Sequence, residues 1–250
     1  MIYLKNNKEL EIMTKAGQIA SSAMKEVSKN IKIGTTTAEL DIIAEKFIEN
    51  SGAESSFKKV ENYKYTTCMT PNELIVHGLP GDYALRDGDI LGVDLGAYYK
   101  GYHSDMSVTF PVGKISSETE KFLTAGKKAL DEAVKKAQVN GFIGDISETI
   151  QDIIEEYGYF IVKEFSGHGI GKNLHEDPLI PGIGKRGTGE KIQEGEVLAI
   201  EVIYSQKKPS IKLLPNGWSV VTSDGSLAGL FEHTVAATKN GPLMLTDIAN

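Results

Sequence analysis

The chain of 250 residues carries a formal net charge of −7, with 40% hydrophobic and 24% charged residues, the proportions of an ordinary water-soluble globular protein. The acidic balance argues against a general nucleic-acid-binding role, and a single cysteine, Cys68, excludes an internal disulfide framework and fits a reducing cytosol. The opening MIYLKNNKELEIM lacks the apolar stretch of a signal peptide, and no apolar run approaches the ~20 residues of a membrane helix, so a cytoplasmic protein with no membrane contact is expected.

In chain order, Ile12, Met13, Ala16, Ile19, Ala20, Ala23, Met24 and Val27 recur at helical spacing and predict an amphipathic helix over 7–29. A second helix is predicted over 37–51, with Thr36 as N-cap and Glu39 completing a capping box. A β-hairpin follows over 89–110. Ser117-x-x-Glu120 opens a third helix to about residue 139, and Asp145-x-x-Glu148 opens a fourth. The two halves align weakly, with Gly34 on Gly144, Ile43 on Ile153, Glu45 on Glu155 and Ala23 on Ala133. With the matching order of elements, this suggests an internal duplication dividing near residue 112, within one domain spanning 1–250. PGIGKRGTGEK reads as a loop rather than a linker. Its spacing fits no P-loop, and Gly167, Gly169 and Gly171 fit no dinucleotide fingerprint. In both places the glycines are read as turn residues supplying positive φ. There is no HExxH.

Five widely spaced residues carry the chemistry: Asp94, Asp105, His168, Glu201 and Glu232. Each lies in or beside an apolar run that reads as a buried strand. Taken singly, each has a bland reading as a turn, edge or structural residue. Together, four carboxylates in such runs require neutralisation, because unpaired buried charge is costly. One histidine is not enough, whereas a pair of divalent cations is. Hairpin geometry supports the convergence. If Lys100-Gly101 forms a two-residue turn, Tyr99 faces Tyr102, Asp94 faces Ser107, and Asp105 is the diagonal neighbour of Asp94. Such a diagonal sets β-carbons roughly 7 Å apart, within reach of two metals about 3.5–4 Å apart. Gly92 and Gly96 are read as leaving open space on the carboxylate face. His103 and His233 are read as facing away from it.

The segments NELIVHGLP, DGDILGVDLGAYYKGYHSD, GHGIGKNLHEDP, IEVIY and FEHT resemble the short bacterial type I methionine aminopeptidases over nearly the whole chain. The resemblance implies an α/β (α+β) pita-bread fold, a pseudo-twofold architecture whose curved antiparallel sheet holds two divalent metal ions. It implies removal of N-terminal methionine from peptides and nascent chains when the second residue is small. Asp94 would bind one metal, His168 and Glu201 would complete the second site, and Asp105 and Glu232 would bridge. Glu201 would shuttle the proton, His175 would donate to the developing oxyanion, and His77 would contact the substrate peptide. The methionine pocket would comprise Phe57, Val60, Tyr63, Cys68, Leu174 and Trp218. Phe57, Val60 and Leu174 depart from the commonest residue types there, and Val202 stands where proline often follows the glutamate. Hard oxygen donors with one imidazole accept cobalt, manganese, iron(II) or zinc. A monomer with a transient ribosome contact is expected. The alternatives are a proline-directed pita-bread peptidase, which typically carries an added N-terminal domain, and a non-catalytic binding protein on the same fold, which loss of ligands would mark.

Overall fold

The computed structural model describes residues 2–247. Helix α1 (Asn7–Lys29) begins where its cap permits. The Asn6 side chain accepts from Lys8 and Glu9 N–H, and the Glu9 carboxylate accepts from Asn6 N–H. Helix α2 (Thr37–Asn50) has the predicted capping box of Thr36 and Glu39. Helices α3 (Ser117–Val134) and α4 (Ile143–Glu156) differ from expectation at their ends. Ser116, not Ser117, caps α3. That helix stops at Val134, and the chain then turns through Asn140, which has φ 71°. Helix α4 starts at Ile143, two residues before Asp145. The Asp145 carboxylate reaches back to Phe142 N–H at 2.9 Å, an N3 role rather than an opening one.

The principal sheet has nine strands among the described residues. In chain order they are β1 (Thr67–Pro71), β2 (Ile90–Leu95), β3 (Met106–Pro111), β4 (Phe160–Ile161) and β5 (Ser166–Gly169). Then come β6 (Glu176–Pro181), β7 (Val197–Ser205), β8 (Ala228–Thr238) and β9 (Gly241–Met244). The spatial order is β6-β5-β7-β8-β3-β2-β1, antiparallel throughout, with β9 on β8 and β4 on β7. Reading inward from either side, β1-β2-β3 of the first half meets β5-β7-β8 of the second at the β3–β8 ladder, which is the expected pseudo-twofold duplication.

The true repeat register differs from the sequence alignment. Thr36 and Phe142 are the N-caps of α2 and α4, and each forms an isolated bridge, to Ala84 and Lys191. Glu39 matches Asp145, buried Leu40 matches Ile146, and Gly52 matches Gly158, both with positive φ. The alignment through Gly34 and Gly144 is therefore displaced by about one helical turn, a slip that a helical period near 3.6 residues disguises.

Alternation along the strands separates two faces. Leu198, Ile200, Val202 and Tyr204 of β7 pack with Phe122, Ile146 and Ile150 of α3 and α4. The Tyr204 ring stacks on Phe122 at 4.4 Å, and its hydroxyl donates to the Phe122 carbonyl at 2.7 Å. Leu91, Val93 and Leu95 of β2 pack with Met24, Leu40 and Ile48 of α1 and α2. The intervening residues of these strands face the other way, away from the helices. Among the described residues no helix is long and apolar enough to cross a membrane.

The hairpin has the predicted register but is not continuous. Tyr99 faces Tyr102 across Lys100 (φ 48°) and Gly101 (φ 89°), and Asp94 faces Ser107. The ladder breaks at Gly96 and Ser104–Asp105, and the hairpin tip joins a separate small sheet with Glu54–Ser55. The glycines do not open space over the carboxylates. A β-carbon on Gly92 would lie 2.1 Å from Thr70 Oγ1, and one on Gly96 would lie 2.1 Å from the Ser104 carbonyl oxygen. In the PGIGKRGTGEK loop Gly187 and Gly189 have the expected positive φ, whereas Gly182 and Gly184 do not. Gly167, Gly169 and Gly171 are not positive-φ residues either; they permit close approach, a β-carbon on Gly169 falling 2.0 Å from the Asp177 carbonyl oxygen.

Candidate metal centre and active site

One register line crosses the sheet and assembles the acids. Cys68 faces Asp94, Asp94 faces Ser107, Ser107 faces Glu232, and Glu232 faces Glu201. Asp105 and His168 lie one step off that line. Asp105 N–H donates to Thr234 Oγ1 at 2.9 Å, and His168 faces Ala199. Asp105, His168 and Glu232 each offer a ligand atom within 4.8 Å of the others. Glu201 Oε1 lies 3.5 Å from His168 Nε2. Asp94 and Asp105 are close enough to share a proton.

The electrostatics are those of a site short of positive charge. Asp94 Oδ1, Asp105 Oδ1 and Glu232 Oε1 are buried with no hydrogen-bond partner. Burial raises all four carboxyl pKa values above the ordinary carboxylate range. Repulsion from Asp94 and Glu201 adds to the shift at Asp105, and repulsion from Asp105, Glu201 and Asp94 adds at Glu232. His168 goes the other way: burial, then nearby His175, holds it down at about 4. Its Nδ1–H donates to the Gly169 carbonyl at 2.8 Å. That leaves the Nε2 lone pair aimed at the carboxylates, the orientation a metal-ligating imidazole requires. Hard oxygen donors, unsatisfied and crowded together beside a neutral imidazole, fit divalent cations.

A cavity of about 170 Å³ opens directly on this cluster. All the predicted metal and substrate residues line it, together with Val76 and Leu230, which the sequence reading omitted. Leu230 was within reach of parity, because it shares the Glu232 face of β8. Val76 is placed by a small sheet in which it faces Val220, a pairing with no signal in sequence. The apolar wall is aromatic and firmly packed. Tyr63 meets Trp218 edge-on at 5.0 Å and Phe57 at 6.4 Å. The Tyr63 hydroxyl donates to the Thr67 carbonyl at 2.8 Å and lies 3.2 Å from Cys68 Sγ. Burial pushes the Cys68 thiol up, so it stays protonated and donates to Tyr63.

His77 and His175 stand at the mouth with exposed side chains. His175 meets the His168 ring edge-on at 4.5 Å. His77 occupies the left-handed region at φ 54°, a backbone strain found where side-chain direction matters. Crowding by protein atoms lowers both pKa values, with His175 adding to the effect at His77. Outside the mouth the same residues border an open groove of about 800 Å³.

His103 and His233 are absent from the cavity, as expected, but parity explains only one of them. His233 alternates with Glu232 and bonds Thr246 Oγ1 at 3.1 Å. His103 is two residues from Asp105 and would share its face on an unbroken strand. The ladder break separates them, and His103 Nδ1 bonds Ser56 Oγ at 3.0 Å.

A family model described as metallopeptidase family M24 matches residues 11–239. The methionine aminopeptidase of Clostridium perfringens is 43% identical over 98% of this chain and 99% of its own length. The crystal structure of methionine aminopeptidase from Thermotoga maritima superposes with a TM-score of 0.97 at 37% identity, covering 99% of this chain and 100% of that one. The prolidase of Pyrococcus furiosus superposes at 0.80 with 26% identity, covering 98% of this chain but only 65% of its own. The duplicated α/β arrangement with its antiparallel sheet is thus the pita-bread fold.

Proposed function

This chain belongs to metallopeptidase family M24, and on that premise we propose that it removes the N-terminal methionine from peptides and nascent chains whose second residue is small. The observation that carries this reading is the line of carboxylates with unpartnered oxygens opening onto a small apolar pocket. Asp94 would contribute to one of two divalent-cation sites, His168 and Glu201 to the other, and Asp105 and Glu232 to both, all five lining the same cavity. Bound there, the cations supply Lewis acidity toward the scissile carbonyl and lower the pKa of attacking water.

The protein's own groups do the rest. The 170 Å³ cavity takes one apolar side chain, bounded by Phe57, Tyr63, Leu174 and Trp218. Glu201 lies beside the ligand cluster and at the mouth, and carries the proton from the nucleophile to the departing amine. His175, reaching over His168, donates to the oxygen that gains charge, and His77 holds the peptide beyond the scissile bond. The substrate's second side chain is confined between these histidines and Glu201, which favours small residues. Every group of the site comes from one chain, so a monomer suffices. A cytosolic enzyme that meets nascent chains at the ribosome accords with this substrate.

The prolidase likeness favours a proline-directed peptidase as the second reading. A metal-supplementation series over cobalt, manganese, iron(II) and zinc on Met-Ala-Ser, Met-Lys-Ser, N-acetyl-Met-Ala-Ser and Leu-Pro peptides separates the two. Fast cleavage of Met-Ala-Ser alone is expected. Equal cleavage of Leu-Pro would end the methionine assignment and leave a metallopeptidase.

A further inference from the structure

We propose that Lys5, in the segment ahead of α1, is a positioning residue for His175, acting through Glu176; the inference rests on the role given to His175 above. Lys5 Nζ donates to Glu176 Oε2 at 2.8 Å, with side chains only 2% and 9% exposed. Surface pairs in the same molecule are different in kind: Lys239 and Glu194, 3.5 Å apart, are 78% and 49% exposed. The segment is seated by Lys5 N–H on the Gly195 carbonyl at 2.8 Å.

Glu176 directly follows His175 and faces Gly169 at the start of β6. Its second oxygen, Oε1, accepts from Asn173 N–H at 3.0 Å, so the carboxylate closes the loop that carries Leu174 and His175. Within that loop Gly171 N–H donates to the Asn173 carbonyl at 3.1 Å, and the Gly171 carbonyl accepts from His103 N–H at 2.8 Å. Lys5 lies flat against it. A β-carbon on Gly171 would stand 2.5 Å from Lys5 Cε and 2.8 Å from both Glu176 oxygens. If Lys5 is removed, Glu176 becomes an uncompensated buried charge, which is relieved by turning to water. Turning outward releases Asn173 N–H, and the loop loses the anchor next to His175. A donor aimed at a developing oxyanion tolerates little displacement.

The test is a double-mutant cycle. Lys5→Met should lower kcat on Met-Ala-Ser about tenfold with bound metal unchanged, and Lys5→Arg should restore most of it. Glu176→Gln keeps the shape of the side chain and gives a second route should Lys5→Met fold poorly; its expected loss is about threefold. In a His175→Ala background both losses should vanish, because the group being positioned is gone. Lys239→Met is the control and should leave kcat unchanged. The same fold loss in both backgrounds would mean a general structural role and would overturn the proposal, as would unchanged kcat in both variants. If His175→Ala itself retains full kcat, the role of His175 falls and takes the proposal with it.

Discussion

The two faces of the principal sheet are made by alternate residues of the same strands and follow opposite rules. On the helix-packed face of β7, Leu198, Ile200, Val202 and Tyr204 are fully buried in hydrocarbon. On the other face Glu201 joins Asp94, Asp105 and Glu232 in a group that burial and mutual repulsion destabilise. The first face holds the strands in register. The second uses that register to set four acids where they would not gather unaided. Stability and chemistry are thus separated by one residue along each strand, and substitutions on the two faces should separate them in experiment.

The largest effect is expected from the acids. Asp105→Asn or Glu232→Gln should reduce kcat/KM by at least about 10³-fold, the scale of losing an electrostatic catalyst, together with loss of bound metal. The same variants should melt higher than the parent in chelator, because one of four buried acids that folding forces to take up a proton or bear an unfavourable charge has gone. A variant with two tightly bound metals and normal turnover would refute the dinuclear assignment. Next in size, His175→Ala should lower kcat by about 10²–10³ while metal content is unchanged. Loss of metal in that variant would make His175 a ligand.

On the other face the expectation reverses. Ile200→Ala removes a fully buried side chain under α3 and α4 and should cost about 2–5 kcal/mol of stability. Its kcat per folded molecule should stay within about twofold, a span equivalent to less than 1 kcal/mol. Denaturant melts alongside titrated active-site concentration would check this. A large fall in kcat without destabilisation would show that the faces are not independent.

The difference between the faces also explains what was legible beforehand. Ligands stood out because acids inside apolar runs violate patterning, and the Lys100-Gly101 turn set the register of Asp94 on Ser107 by counting alone. The family resemblance, rather than periodicity, supplied the pocket and the roles of His77 and His175. What stayed hidden depends on contacts distant in sequence. Thr70 and Ser56 fill the space beside Gly92 and Gly96, the ladder breaks at Ser104, and Val76 reaches the cavity through Val220. The repeat register was missed for a local reason: α2 and α4 look alike after a slip of about one turn, since apolar positions recur at that period.

The smallest effect, and the most direct reading of the crowded face, is a pH dependence of the metal-free protein. Asp94, Asp105, Glu201 and Glu232 all have folded pKa values raised above the ordinary carboxylate range, chiefly by burial. The folded state therefore holds protons that the unfolded chain has already released. By linkage, their contribution is fully present below the unfolded carboxylate pKa of about 4 and is lost as pH rises through the raised values. His168, held at about 4 by burial, works in the opposite sense: the unfolded imidazole takes up protons first, so stability falls as pH drops from about 6.5 toward 4. His77 and His175 add to that trend, their pKa values being lowered as well. Above about pH 6.5 the histidines are neutral in both states and the carboxylates remain, joined near the top of the range by the buried Cys68 thiol, whose raised pKa acts in the same sense. Calorimetric melts in chelator should then show Tm falling between pH 6.5 and 8.5, with a shallower fall in Glu232→Gln and an unchanged slope in Ile200→Ala. The metal-loaded enzyme should show the reverse, because protons and cations compete for the same oxygens. A chelated protein whose Tm climbs over that range would mean that the four acids are already neutralised by something other than metal.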